Sequence, residues 1–437
     1  MRRLFLPILF CLPLLLSAQD WQLVGSAGFS QSTVFNNSLA IHQDTPYVAY
    51  VDRGGLNFAK FDGTNWVLIG APNFVLTAGN PKLAFRSNTP YLLYKDGSLG
   101  GKLVLMRYEE NAWVKLGDFI PSEGGSNFPS LAFDQNDVPY VAFQDNGTGF
   151  KTVVLRYEAG MWLHVGPITG FGRAIATNQS LAIDGETPYV CFTDSDFGGT
   201  SVMRYDMDLG WVDVGAPGLN IGAANAPILQ IDDGKLYVAC LEQAQGLKIT
   251  VVQFDGTDWQ IVGRRGFNKS EVPILRFKVD QGIPYCGFRD GATGFKASVW
   301  KFENTEWQPL GQEGFSAGEA GLMSLAIGRE QVYLSFQDEA NDNKLSVMNL
   351  GMETTGLKKE IQDSPVVLYP NPTNGYLLMK HPLPSTKAIR IVAPTGEYIK
   401  EVSHTATTID VSDLSPGLYL LEIQLGERSI LKKFIKR

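Results

Sequence analysis

Cysteine and histidine are scarce, at 4 residues each in a chain of 437. Cys11 falls in a leader, which leaves Cys191, Cys240 and Cys286, an odd set that makes no complete disulfide framework. All three stand in β-type runs and read as small buried hydrophobes. Side chains alternate along a strand, so only Cys191–Cys240 has the parity to share one gap between neighbouring sheets, and Cys240–Cys286 is excluded. The histidines (His42, His164, His381 and His404) lack metal-ligand spacing to the cysteines, so neither a metal nor another cofactor is expected. After the leader no apolar run reaches the length of a transmembrane segment. There is also no basic stripe. Residues 19–360 hold 26 basic and 38 acidic side chains, a net of −12, and 361–437 hold 9 and 7, a net of +2. That balance argues against nucleic acid and against an anionic membrane as partners. Signatures of catalysis are missing too: no nucleophile elbow, phosphate loop or zinc helix, and no Ser-x-Asp-x-Gly-x-Thr-Trp box. Asp194-Ser-Asp-Phe-Gly-Gly199 is a fragment of a calcium loop, no more.

What the chain does have is punctuation. Arg2 and Arg3, the apolar Leu4–Leu16 and the small-residue site Leu16-Ser17-Ala18 predict a signal peptide over 1–18. Beyond it, Trp-x-x-(Val/Ile/Leu)-Gly occurs seven times, at Trp21, Trp66, Trp113, Trp162, Trp211, Trp259 and Trp307, with spacings of 45 to 49 residues. A period in the forties with several β-type runs marks a propeller or a similar array. Each period holds four runs, as in Ser130–Phe133, Pro139–Phe143, Lys151–Tyr157 and Trp162–Val165, with turn residues between them. The second run opens on a tyrosine in every period (Tyr47, Tyr91, Tyr140, Tyr189, Tyr237, Tyr285, Tyr333) and is apolar on both faces, as a sheet packed on both sides requires.

The ends of the array decide how it closes. It begins with a lone fourth-strand motif at Trp21 and ends after three strands at Leu350. The expected fold is therefore all-β: a seven-bladed propeller over 19–351, its last blade completed by the N-terminal strand, since closure pairs the exposed sheet edge. A linker is expected over 352–364 and a small Ig-like β-sandwich over 365–437. A monomer is expected.

Five residues after each tyrosine stands an acid: Asp52, Asp96, Asp145, Asp194, Glu242, Asp290 and Asp338. Six residues further come Lys102, Lys151, Lys248, Lys296 and Lys344, which places acid and lysine opposite each other at one hairpin base, as a cross-strand ion pair would stand. Because it repeats, this rim of Asp96–Lys102, Asp145–Lys151, Glu242–Lys248, Asp290–Lys296 and Asp338–Lys344 reads first as structural. The crossovers on the same rim vary and carry aromatic residues, so a ligand site is expected there. Phe29, Phe267 and Phe315 share one repeat position and read as plugs between blades. Phe74 and Phe171 fit that register less well, and with Asp145 and Glu242 they are the candidate ligand-binding residues. No residue is assigned a catalytic or metal-binding role.

After Leu350 a new pattern begins: Leu368-Tyr-Pro-Asn-Pro-Thr-Asn-Gly375, then Ile389–Gly396, then Leu414-Ser-Pro-Gly-Leu-Tyr419 and the basic Lys432-Lys-Phe-Ile-Lys-Arg437. In order and spacing these motifs closely resemble the type A C-terminal sorting domain of the type IX (Por) secretion system of Bacteroidetes. The resemblance implies that the tail guides folded cargo across the outer membrane through the type IX machinery. It also implies a body that is then released or attached to surface lipopolysaccharide. The repeats resemble those of other secreted proteins of these bacteria. The resulting expectation is a secreted or cell-surface binding module, lectin- or adhesin-like, for a glycan or a surface protein. An extracellular polysaccharide-active enzyme, a glycosidase or lyase, is the alternative, and a passive surface scaffold a further one.

Overall fold

The structure is a computed structural model that describes residues 20–219, 221–352, 359–360, 367–380, 386–393, 398–403, 408–425 and 428–437. The expected signal peptide and most of the expected linker lie outside them. The chain divides into two compact units after Gly351.

The first unit is seven four-stranded antiparallel sheets. Blade 3 is typical, with strands Ser126–Phe133, Pro139–Asp145, Lys151–Glu158 and Met161–His164 in spatial order. Its second strand is buried along its whole length, which is why both faces are apolar. Blade 7 consists of Ala320–Ile327, Gln331–Asp338 and Lys344–Gly351, and its outer strand is Gln22–Leu23, paired with Met348 and Asn349. Blade 7 also bonds to blade 1: Leu39 N donates to Ser324 Oγ at 3.0 Å and Val34 N to the Asn343 carbonyl at 3.0 Å. The core lies between blades. One cluster joins Val24, Tyr333, Leu345 and Val347 to Val34, Leu39 and Tyr50.

The repeated motif has a physical reason. In six copies the indole Nε1 donates to the carbonyl of the residue before the motif glycine in the preceding blade: Trp21 to Leu310, Trp66 to Val24, Trp162 to Leu116, Trp211 to Val165, Trp259 to Val214 and Trp307 to Val262, at 2.7–2.9 Å. Each tryptophan thus staples its blade to the one before. The motif glycines hold φ between +68° and +95°, where side chains are strained. At Gly166 a Cβ would come within 2.7 Å of the Trp211 ring, so backbone and indole share a space that admits no side chain.

Cys191, Cys240 and Cys286 are free and buried. Cys191 and Cys240 belong to one inter-blade cluster and Cys286 to the next, as their parities require.

In the second unit, sheets of five and three strands enclose Leu377, Ile389, Ile391, Ile409, Leu421, Ile423 and Phe434. Lys359–Glu360, within the expected linker, pairs in parallel with Ser429–Ile430. The separated tail motifs meet here. Asn371 of Tyr-Pro-Asn-Pro accepts from Ile435 N at 2.9 Å and donates to the Lys433 carbonyl at 3.0 Å, binding the opening of the domain to its last strand. Tyr419 stacks on Phe434 and donates to the Ser415 carbonyl at 2.9 Å. No described helix is long and apolar enough to cross a membrane.

Candidate functional site

The ladder register places each acid directly opposite its lysine: Asp96↔Lys102, Asp145↔Lys151, Glu242↔Lys248, Asp290↔Lys296 and Asp338↔Lys344. The expected ion pairs do not form. Among the described residues no ion pair joins these partners. The acids point inward and are buried, and they are consumed by the turn and the crossover. Asp96, Asp145 and Asp290 cap the following turn through Ser98 N, Gly147 N and Ala292 N at 2.8–2.9 Å. The Ser298 and Ser346 hydroxyls of the third strand donate to Asp290 at 2.9 Å and Asp338 at 2.6 Å, and in turn accept from crossover amides Gly314 N and Gly28 N at 2.9 Å. The acid ring is a relay that ties crossovers to hairpins.

Asp145 accepts three backbone amides, from Glu123, Gly124 and Gly147, each at 2.8 Å. Glu242, one methylene longer, makes no turn cap and reaches Arg265, whose guanidinium binds both of its oxygens and also the Ile221 carbonyl at 2.7 Å. Phe171 is buried and Phe74 half-buried, and neither departs from its repeat position. Phe74 lies against Trp113 at 5.7 Å and Phe171 against Trp211 at 4.0 Å, parallel to within 13°, as Phe29, Phe267 and Phe315 lie against Trp66, Trp307 and Trp21. Their amides make the equivalent bond too, Phe74 to Leu56 and Phe171 to Thr152, as Phe267 does to Ile249. The loop before Phe171 absorbs one extra residue, which is why its sequence register misled. All four candidate ligand residues are therefore engaged in holding the rim.

The open space is elsewhere. The first strands of all seven blades surround a central cavity of about 600 Å³. In five blades that strand carries a bulge whose residue takes a left-handed conformation: Asn80, Phe128, Asn178, Ala226 and Leu322, at φ +43° to +57°. Phe128 is 40% exposed there. Two residues further along, Ser38, Ser130, Ser180 and Ser324 occupy the equivalent position in blades 1, 3, 4 and 7. Each accepts from a leucine amide in the next blade, Leu83, Leu181, Leu229 and Leu39, at 2.9–3.0 Å.

At this position the ring loses its symmetry. Blades 2, 5 and 6 have Lys82, Ile228 and Arg276. Two residues on, where Ala40, Ala84, Ala132, Ala182 and Ala326 recur, blades 5 and 6 have Gln230 and Lys278. Lys82 and Lys278 are open to the cavity, yet enough protein surrounds them that desolvation lowers both ammonium groups, Lys82 to about 8 with Arg276 and Lys278 adding to the effect. Desolvation also lowers Arg276, to about 10. Arg276 donates to the carbonyls of Leu275 and Met323. Sequence reasoning missed these residues, although the signal was available nine residues before the tyrosines (ten in blade 3). Among the described residues no cluster of His, Cys, Asp and Glu is arranged to hold a metal ion.

Residues 367–437 match the family described as the secretion system C-terminal sorting domain. No curated protein matches the chain. Among solved structures, an ulvan lyase of polysaccharide lyase family PL25, bound to -[GlcA(1-4)Rha3S]-, is similar with a TM-score of 0.51 at 12% identity, covering 75% of this chain and 96% of its own. The SapL1 lectin in complex with α-methyl fucoside scores 0.46 at 14% identity over 65% of this chain and 97% of its own. A lectin of Aleuria aurantia scores 0.43 at 13% identity over 66% and 99%. The lyase likeness is one of fold.

Proposed function

We propose that this chain, which ends in a type IX secretion sorting domain and is thereby marked as secreted or displayed on the cell surface, is a non-enzymatic, lectin- or adhesin-like glycan-binding propeller. Its tail engages the type IX machinery and is the address, while the ring is the cargo that does the binding. One observation carries the glycan reading: the central cavity combines amide side chains with an exposed aromatic face. Asn80 and Asn178 stand on bulges at the cavity wall, Gln230 also lines it, and Phe128 offers its ring. Amides answer sugar hydroxyls in both hydrogen-bonding senses, and an aromatic face packs on the apolar face of a pyranose. The volume lies in the range of small-ligand sites. The ulvan lyase that shares the fold was solved with a saccharide, which fits the same class of ligand.

The lining has no Asp or Glu, so the paired carboxylates of glycoside hydrolysis have no seat in the cavity. That disfavours glycoside hydrolysis in the cavity. The test is a glycan array probed with the full chain, beside a screen for polysaccharide cleavage. Retention of a defined saccharide set without product formation is expected. Release of oligosaccharides from any polymer would replace this reading with the enzymatic one, and retention of no glycan at all would remove it.

A further inference from the structure

We propose that the central cavity is an oxyanion site, built by Lys82, Arg276 and Lys278, that takes the sulfate or carboxylate group of an acidic saccharide. The site stands on the geometry alone, and only the saccharide that carries the anion rests on the glycan reading above.

The charge distribution comes first. Residues 19–360 carry 38 acids against 26 bases, yet the cavity wall has these 3 bases and no acid. Blades 2 and 6 bring them from opposite sides of the ring. Among the described residues neither lysine has a carboxylate partner. Arg276 is held by the Leu275 and Met323 carbonyls, which fix its guanidinium without neutralising it. Three like charges in a walled cavity repel one another and focus a positive potential on the space between them.

These residues also displace a repeated feature of the ring. Lys82 and Arg276 stand where four other blades have a serine that hydrogen-bonds the next blade, and Lys278 stands where five blades have alanine. The ring thus gives up the serine bond at two places to gather charge at its axis, and at one of them Arg276 binds blade 7 through the Met323 carbonyl instead. Repeat drift has no reason to place three cations within one cavity. An anion bound between them accepts charge-assisted hydrogen bonds and relieves their mutual repulsion.

Calorimetric titration of the full chain decides it, using sodium sulfate, a sulfated κ-carrageenan oligosaccharide and a neutral agaro-oligosaccharide. The variants are Lys82→Ser, which installs the serine of the sister blades, Lys278→Ala, and Lys60→Ala as an exposed control, each with a melting temperature. Sulfate is expected to bind, the sulfated oligosaccharide more tightly, and Lys82→Ser and Lys278→Ala to weaken both by about tenfold or more without loss of fold, Lys60→Ala by nothing. Sulfate binding with no gain from the sugar supports the oxyanion site and removes the acidic saccharide. Neutral oligosaccharide binding untouched by the variants, with no sulfate binding, overturns the oxyanion site and leaves the glycan reading standing. Sulfate affinity equal in wild type and both variants overturns the site outright.

Discussion

The indole Nε1 of Trp307 donates a 2.9 Å hydrogen bond to the Val262 carbonyl of the preceding blade, and Phe267 lies flat on the same indole at 4.0 Å. Six of the seven motif tryptophans make that bond; Trp113 has a buried Nε1 with no partner. The difference is measurable. Trp307→Phe forfeits a buried hydrogen bond and leaves a carbonyl unpaired, costing roughly 1–3 kcal/mol. Trp113→Phe removes a donor that is already unsatisfied and costs distinctly less. Denaturant unfolding of the two variants checks the order; equal losses contradict the staple.

Capping and ion pairing predict opposite results on the acid rim. Arg265→Ala leaves the fully buried carboxylate of Glu242 with the Thr250 hydroxyl as its remaining donor, at 2.8 Å, and should cost roughly 1–3 kcal/mol. Lys296→Ala touches no ion pair and should stay within about 0.5 kcal/mol. A large loss for Lys296→Ala would restore the cross-strand pair that the geometry lacks.

The ring depends on its first described residues. Trp21 bonds to the Leu310 carbonyl at 2.9 Å and stacks on Phe315 at 4.1 Å, and Gln22–Leu23 complete blade 7. Removing residues 20–25 exposes the edge of that blade and should lower the melting temperature by several degrees or more. An unchanged transition would mean the ring holds without its closing strand.

Much of this was legible because repetition averages out accident. Seven tryptophans, seven tyrosines and the acids five residues on each report one structural role, so strand order, the place of the N-terminal strand in blade 7 and the buried parity of Cys191, Cys240 and Cys286 followed from spacing. The acid–lysine pairing failed for a reason of direction: register puts Asp290 opposite Lys296, but whether the carboxylate meets the lysine or the Ser298 hydroxyl depends on how the turn folds back. Phe171 was misplaced by a one-residue insertion that the loop absorbs. The cavity was missed because its signal is an exception. Lys82 and Arg276 mean little until the serines they replace are seen to face one axis.

The sorting domain predicts a separation of address from fold. Asn371 and Phe434 hold the second unit together, so a chain ending at Gly351 should fold yet remain in the periplasm, as fractionation and immunoblotting would show. Surface delivery of the truncated chain contradicts the assignment.

Lys82 gives a pH signature. Desolvation, with Arg276 and Lys278 adding, lowers its ammonium to about 8 from 10.5 in the unfolded chain, and no carboxylate lines the cavity to oppose this. Between those values the unfolded chain binds more protons at this group, so its contribution to stability rises with pH from about 8 to 10.5 and is at its lowest below 8. Relative to Lys82→Ser, the wild type should gain melting temperature as pH climbs through that window, while its sulfate affinity falls. A parallel pH profile in the two proteins contradicts a charged, strained Lys82.

The proposed recognition site sits at the axis of the ring and not on its acidic rim. Phe128 is the residue to change, because its left-handed position is held by asparagine in two sister blades, Asn80 and Asn178. Phe128→Asn therefore keeps the backbone at ease and removes only the exposed ring. The decisive measurement is the dissociation constant of the best array saccharide for wild type and Phe128→Asn, with melting temperatures alongside. A loss of about tenfold or more in affinity, roughly 1.4 kcal/mol, is expected at unchanged or slightly higher stability. Equal affinity in the two proteins would contradict it.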